Sequence, residues 1–226
     1  MVVPKRPTVL SLIIKTIVIL SAVIGTVLST RQVTEVLSGS TVFMYFTIQS
    51  NLAIALICLA GAFFLIKNKD VNNVWYVIKF VATVAITLTG VVFCVVLAPT
   101  LKQNAWTPAN ILTHVVVPVF SIADYYITCA YGALRKRHVF YVIIPPLLYA
   151  LYAGIGFANN WDFGGGRNYP YFFLDWGSPA GAIGFTNKLP FMGCVWWILL
   201  LLVFLIFIGL IYVTTLNKFR TNRKPR

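Results

Sequence analysis

The sequence predicts an all-α polytopic membrane protein, a bundle of six transmembrane helices forming a single domain over residues 1–226. Three observations support this fold class. Hydrophobic residues make up 59% of the chain and charged residues only 10%, whereas soluble domains contain about 25% charged residues. Six apolar runs are long enough to cross a bilayer, which takes about 20 helical residues. A long aromatic outer loop is expected between helices five and six.

The first apolar run, at about 9–28, follows two basic residues and has the position of a signal peptide. Because it is long enough to span and no small-residue cleavage site follows it, we expect a retained helix. The other five runs lie at about 44–66, 75–97, 110–134, 140–157 and 192–216. The fifth is the shortest and contains Pro145 and Pro146, so we expect a kinked helix there.

Basic residues between the runs predict the orientation. One side would hold twelve of them, and the other side would hold Arg31, Lys102, Arg167 and Lys188. The twelve are Lys5, Arg6, Lys67, Lys69, Arg135, Lys136, Arg137, Lys218, Arg220, Arg223, Lys224 and Arg226. Since cytoplasmic loops carry the excess of Lys and Arg, both termini are expected in the cytoplasm, with the chain in the cell membrane. An even number of helices likewise requires both termini to lie on the same side.

The net charge of +13 raises the alternative of a nucleic-acid partner. The basic residues, however, lie between apolar runs, so we expect membrane lipids with anionic headgroups as partners and no nucleic acid. The cysteines each lie inside an apolar run and form no CxxC pair: Cys58, Cys94, Cys129 and Cys194. They are interpreted as small buried hydrophobic residues, and neither a metal nor a cofactor is predicted. The oligomeric state is left open.

The last outer connection, at about 158–191, is long and rich in glycine, proline and aromatic residues. Long connections in a compact protein are usually either functional or disordered, and aromatic residues argue against disorder. We therefore expect this segment to fold back over the outer mouth of the bundle.

Two polar groups inside the runs are candidates for a site. Thr47, Ser50 and Asn51 are spaced to share one helix face, and His114 is the histidine within a run. Polar contacts between helices would explain the first group, and a structural histidine would explain the second. Helices two and four, however, run in the same direction, and Thr47 and His114 lie at similar depths near the outer mouth.

A hydroxyl and an imidazole at one depth can form an activated nucleophile. His114 would take the proton of Thr47 as a general base. Asn51 or Gln49 could donate hydrogen bonds to a developing oxyanion, and Asp175 in the outer loop could orient the histidine.

A further polar cluster is expected in the inner half of the membrane. Lys15, Lys79 and Asp124 all lie within apolar runs, and an unpaired buried charge costs several kcal/mol. We therefore predict an ion pair between Asp124 and at least one lysine, although each lysine could instead reach the inner surface. Asp124 lies about 15 Å below His114 along one helix, so it is not expected to assist that histidine.

Three stretches resemble those of a bacterial six-helix membrane family: YFTIQSN at 45–51, THVVVP at 113–118 with Asp124 following, and YPYFFLD at 169–175. That family is distantly similar to the androgen-induced and androgen-dependent membrane proteins of animals. The animal proteins are intramembrane hydrolases with a threonine nucleophile and a histidine, and they cleave fatty acid esters of hydroxy fatty acids. By motif position, the resemblance implies Thr47 as nucleophile and His114 as base.

The leading hypothesis is therefore an intramembrane hydrolase that acts on a lipid-like ester entering from the outer leaflet. The alternative is a non-catalytic membrane protein, either a small transporter or a scaffold, in which the same residues hold helices together. The absence of an evident repeat argues against a secondary transporter. An ion channel is not favoured, because the sequence shows neither a ring of acidic residues nor a filter-like loop.

Overall fold

The computed structural model describes residues 8–31, 39–101, 105–129 and 132–221. Six long helices cover most of them, and no β-strand occurs within these ranges. The helices are α1 (Thr8–Arg31), α2 (Phe46–Ile66), α3 (Asn73–Leu101), α4 (Pro108–Thr128), α5 (Lys136–Ala158) and α6 (Cys194–Thr221). Each is long and apolar enough to cross a membrane, which confirms the predicted all-α, six-helix class.

Helix boundaries differ most at the connection between α4 and α5. The predicted fourth run continued to residue 134, but α4 ends at Thr128 because Cys129 takes an extended conformation. Gly132 then adopts a φ of 79°, in the left-handed region that glycine enters without steric cost. The fifth helix consequently starts at Lys136 rather than at residue 140.

The two prolines of α5 mark a change of helix type. Residues Lys136–Ile143 form a 3₁₀-helix, and Ile144–Ala158 continue as an α-helix with the prolines in its first turn. Proline is tolerated there because first-turn N–H groups have no intrahelical partner. The expected kink is thus a junction between two helix types.

Two π-helical turns interrupt the helices nearest to the candidate site. One spans Phe93–Leu97 in α3 and the other spans Leu112–Val116 in α4. Such turns are rare and occur frequently at functional sites. Here they lie at the same end of the bundle, where α3 ends and α4 begins.

The bundle core forms around two apolar clusters. Helix α1 packs against α2 and α4, while α3 packs against α2, α4 and α6. One cluster joins α3, α4 and α6 around Phe80, Tyr125 and Leu205. The other joins the first four helices, α1 through α4, around Val18 and Ile54. Large apolar side chains on the outer helix faces remain exposed, as expected for surfaces that meet lipid.

Six of the described basic residues lie at the bundle end opposite to Thr47, and all six side chains are exposed. They are Lys67, Lys69, Arg135, Lys136, Arg137 and Lys218. The remaining predicted topology charges of that side, Lys5, Arg6, Arg223, Lys224, Arg226 and the side chain of Arg220, lie outside the described residues, as does Lys102 of the other side.

The aromatic segment between α5 and α6, residues 159–193, folds onto the bundle end where α2 begins. Its Phe163 is buried, and its carbonyl oxygen accepts a hydrogen bond of 2.8 Å from the hydroxyl of Tyr45. Phe173 is also buried and packs near Trp197 of α6, with 5.8 Å between ring centroids. These contacts bring the segment next to Thr47.

Candidate active site

Thr47 lies in the first turn of α2. The helix begins at Phe46, and the preceding residue, Tyr45, is extended. Backbone N–H groups in a first turn lack intrahelical acceptors. The N–H of Thr47 points instead at the hydroxyl oxygen of Tyr171, 3.4 Å away. The start of α2 therefore presents the threonine hydroxyl to other helices and to the aromatic segment.

His114 belongs to the π-helical turn of α4 and is buried. Its Nε2 lies 3.3 Å from Thr47 Oγ1. The ring stacks on Phe93, from the π-helical turn of α3, with 3.9 Å between centroids and 21° between planes. The two π-helical turns thus meet through these rings, and the stacking fixes the orientation of the imidazole toward Thr47.

The hydrogen bonds of the other ring nitrogen determine the tautomer of a neutral His114. Nδ1 lies 3.1 Å from the carbonyl oxygen of Asn110 and 3.0 Å from Thr113 Oγ1. A carbonyl can only accept, and the hydroxyl of Thr113 already donates to the carbonyl of Ala109 at 2.9 Å. Nδ1 therefore carries the proton, and Nε2 presents its lone pair to the hydroxyl of Thr47.

Two glycines permit the close approach of neighbouring helices to this turn. A Cβ on Gly90 of α3 would lie 2.8 Å from the carbonyl oxygen of His114. A Cβ on Gly25 of α1 would lie 2.7 Å from the Cγ2 of Thr113. Neither distance is possible without a shift, so the absence of a side chain at both positions defines the placement of His114.

An apolar pocket of about 610 Å³, counting its open mouth, begins at Thr47 and lies between α2, α3, α5, α6 and the aromatic segment. Its polar lining side chains are Thr47, Thr89, Tyr149 and Tyr171. The apolar lining residues are Phe46, Leu88, Val92, Leu97, Pro146, Ala150, Phe173, Leu174, Ile198, Leu201 and Leu202. A lining of this kind, mostly apolar with a few polar groups at one end, is typical of a site for a small apolar molecule.

Asn51 lies beside the site but does not face it as an oxyanion donor. Its side-chain amide donates to the carbonyl of Thr47 at 2.8 Å and to the carbonyl of Thr113 at 3.1 Å. Both amide hydrogens are therefore used. The structure corrects the sequence expectation: Asn51 joins α2 to the π-helical turn of α4 and leaves no hydrogen for an oxyanion.

Gln49 and Asp175 also lie outside the site. The Gln49 side chain is exposed and donates to the carbonyl of Phe43 at 3.1 Å. Oδ1 of Asp175 accepts from the N–H of Gly177 at 3.0 Å, and no contact with His114 is described. Burial raises the pKa of Asp175, and backbone hydrogen bonds oppose that shift. The carbonyl of Asn110 has the orienting position that was expected of Asp175.

Asp124 lies between the two buried lysines of the inner half. Its carboxylate forms an ion pair with Lys15 of α1 through Oδ1 and with Lys79 of α3 through Oδ2, the latter at 2.5 Å. All three side chains are at most 5% exposed. Lys15 also donates to Ser11 at 3.2 Å, and Lys79 donates to Thr128. This cluster connects three helices and is separate from the Thr47 site.

Tyr171 is the site residue that the sequence did not single out. Its hydroxyl lies 3.4 Å from Thr47 Oγ1, and its ring stacks on Phe173 with 5.0 Å between centroids. Burial raises the pKa of Tyr171 above its usual value near 10, so the phenol remains protonated at neutral pH. The aromatic run at 169–175 was the available signal, but its path over the bundle depends on tertiary contacts.

Comparison with known proteins leaves this geometry as the basis for assigning a function. No protein-family model, curated protein or solved structure matches the chain.

Proposed function

We propose that this protein is an intramembrane hydrolase that uses Thr47 as nucleophile and His114 as base to cleave a lipid ester. The observation that carries the proposal is the 3.3 Å separation of Thr47 Oγ1 and His114 Nε2, with Thr47 itself lining an apolar pocket. Thr47, the nucleophile, contacts the base His114, and the carbonyl of Asn110 orients that base. Resting enzymes often hold such hydrogen bonds slightly long.

The reaction follows from the tautomer of His114. Thr47 Oγ1 bonds to the ester carbonyl carbon while its proton passes to Nε2. When the tetrahedral intermediate collapses, the bond between the carbonyl carbon and the alkoxy oxygen breaks, and Nε2–H protonates the departing alcohol. Water then attacks the acyl-threonine with Nε2 as base, which releases the carboxylic acid and restores the Thr47 hydroxyl.

The carbonyl of Asn110 supports each step in which His114 becomes an imidazolium. It accepts a hydrogen bond from Nδ1–H, with 3.1 Å between nitrogen and oxygen, and this bond holds the ring in the productive tautomer. A carbonyl dipole stabilises the cation less than a carboxylate would, so we expect a slower enzyme than one with an ionised orienting residue.

The pocket lining supports an apolar acyl or alkoxy chain as the bound group. Leu88 and Leu97 lie nine residues apart on α3 and both line the pocket, a separation of about 14 Å along a helix axis. Apolar side chains spread over this length suit an alkyl chain with its ester at Thr47. The motif resemblance at Thr47 and His114 favours fatty acid esters of hydroxy fatty acids as the ester class.

The proposed orientation places the site in the outer leaflet of the cell membrane, with both termini in the cytoplasm. Support comes from the exposed basic side chains at the opposite end of the bundle, including Lys67, Lys69 and Arg135. Cytoplasmic ends of membrane helices are enriched in such residues.

The test is covalent labelling of purified protein by a lipophilic fluorophosphonate. We expect wild type and Thr47→Ser to label, and Thr47→Ala and His114→Ala to label at least tenfold more slowly. Thr16→Ala is the matched control, because Thr16 is an exposed threonine that bonds to the carbonyl of Leu12 in its own helix. Equal labelling of wild type and Thr47→Ala would refute the proposal.

The non-catalytic alternative predicts a different pattern. In that case the wild type would neither label nor hydrolyse lipid esters, and His114→Ala would lose thermal stability instead. Measurement of the unfolding temperature beside the labelling rate separates these two outcomes.

A further inference from the structure

We infer that Tyr171 is a catalytic residue of the hydrolysis proposed above, on which this inference rests. Its phenol O–H donates a hydrogen bond to the oxyanion that forms when Thr47 attacks the ester carbonyl. The aromatic segment between α5 and α6 would then supply part of the active site.

The reaction needs a hydrogen-bond donor near Thr47 that is free to serve the intermediate. Both amide hydrogens of Asn51 are taken by backbone carbonyls, and Gln49 donates to Phe43. The N–H of Thr47 itself points at Tyr171. Two described side chains contact Thr47 Oγ1. One is the base, His114, and the other is Tyr171, which carries an O–H donor.

The distance between the two hydroxyl groups fits this role. Tyr171 Oη lies 3.4 Å from Thr47 Oγ1. The oxyanion belongs to the carbon that bonds Oγ1, so it sits two bonds from that atom. Productive donors lie about 2.7–3.1 Å from the oxyanion, and a donor next to the nucleophile reaches this range with little movement.

The surroundings of Tyr171 hold its hydroxyl in place and keep it protonated. The ring is parallel to Phe173 within 5° and meets the edge of Tyr45 at 5.5 Å between centroids. Its oxygen accepts the N–H of Thr47, and its proton has Thr47 Oγ1 as one acceptor, 3.4 Å away. Burial raises the pKa of Tyr171, which is consistent with a neutral donor.

The experiment compares wild type, Tyr171→Phe and Tyr152→Phe with 4-nitrophenyl dodecanoate in detergent micelles. Tyr152 is the matched control, because its ring contacts Trp161 and Phe163 of the same aromatic segment and does not line the pocket. For Tyr171→Phe we expect kcat to fall about 100-fold with unchanged KM, while the lost acceptor for the Thr47 N–H slightly lowers the unfolding temperature. Tyr152→Phe should match wild type.

A second measurement uses a long-chain trifluoromethyl ketone. The Thr47 hydroxyl adds to it reversibly to form a hemiketal oxyanion, while the hydroxyl proton passes to His114 Nε2. Loss of the phenol hydroxyl should raise the Ki of this ketone by about the same factor by which it lowers kcat. A tyrosine that only maintains structure would lower the unfolding temperature without raising Ki and lowering kcat by a common factor. If Tyr171→Phe fails to fold, 3-fluorotyrosine at the same position, a stronger donor, should lower the Ki.

Two results would overturn the inference while leaving the hydrolase intact. These are a Tyr171→Phe variant with kcat and Ki within twofold of wild type, or a fluorotyrosine variant with unchanged Ki. Failure of the hydrolase itself has a separate signature, since wild-type protein would then show no Thr47-dependent turnover or labelling.

Discussion

Replacement of Gly90 by alanine should disable the site from a distance, because this glycine lets α3 approach the π-helical turn of α4. The new Cβ would lie 2.8 Å from the carbonyl oxygen of His114 and 3.1 Å from both Cβ and Cγ of Pro118. Those neighbours are a main-chain oxygen and a proline ring, which cannot rotate away as a flexible side chain would. The helices must separate to accept the methyl group.

The size of the separation follows from ordinary contact distances. Relaxing the Cβ contact to 3.4 Å moves the His114 backbone by about 0.6 Å. Thr47 and His114 are already 3.3 Å apart, so a shift of this size disturbs the alignment of their hydrogen bond. A misplacement of about 1 Å costs about 100-fold in rate, and we therefore expect turnover to fall about tenfold or more. Overpacking should also cost about 1–3 kcal/mol of stability.

The assay measures kcat/KM for 4-nitrophenyl dodecanoate and the unfolding temperature of each variant in detergent. Gly154→Ala of α5 is the control, because a Cβ there meets nothing within 4 Å and alanine favours a helix over glycine by about 1 kcal/mol. Full activity and unchanged stability in Gly90→Ala would refute the role given to this close approach.

Three other perturbations test separate parts of the molecule. Asp124→Asn leaves two buried lysines without a counter-charge and should cost about 3–5 kcal/mol of stability, measured by thermal unfolding. Ala150→Phe fills the apolar pocket and should reduce kcat/KM for hexadecanoyl esters about tenfold relative to octanoyl esters, measured with a chain-length series. The raised pKa of Tyr171 favours the neutral phenol, so a pH–rate profile should show no loss of its donor up to about pH 10.

Each of these predictions has a contrary result. An unfolding temperature within one degree of wild type for Asp124→Asn would contradict the structural role of the ion pairs. Leu151→Phe, on the exposed face of α5, is the control for the pocket, and equal chain-length profiles for both phenylalanine variants would exclude an acyl site there. A descending alkaline limb below pH 10 that disappears in Tyr171→Phe would contradict the raised pKa.

The six helices could be predicted because membrane insertion depends on local composition. An apolar run of about 20 residues has few alternatives in lipid, where backbone groups must bond within the segment. The exact ends could not be predicted, since Leu134 continues the apolar run but lies after the break at Cys129 and Gly132. The π-helical turns were equally hidden, because no local pattern distinguishes them from α-helix.

The expectation that Thr47 and His114 lie together depended on depth, which chain direction and helical rise provide. Depth does not specify which face of a helix meets which neighbour. The structure supplies that information through the 3.3 Å contact and through Gly25 and Gly90, whose missing side chains admit the neighbouring helices.

Residue type alone did not identify the oxyanion donor or the group that orients His114. Asn51, Gln49 and Asp175 all carry groups suited to a site, yet their hydrogen bonds go to Thr47 and Thr113 carbonyls, to Phe43 and to Gly177. A buried polar group takes whichever partner lies nearest in the fold. Long side chains and loops have many possible partners, and composition does not rank them.

What the sequence determined by itself is a property of single segments: how many cross the membrane, which side their charges favour and how deep each polar residue lies. Only the tertiary structure decided which side chains touch, including the placement of Tyr171 beside Thr47. The physical reason is that insertion is governed by the transfer of each segment into lipid, whereas contacts between helices depend on close packing of particular surfaces.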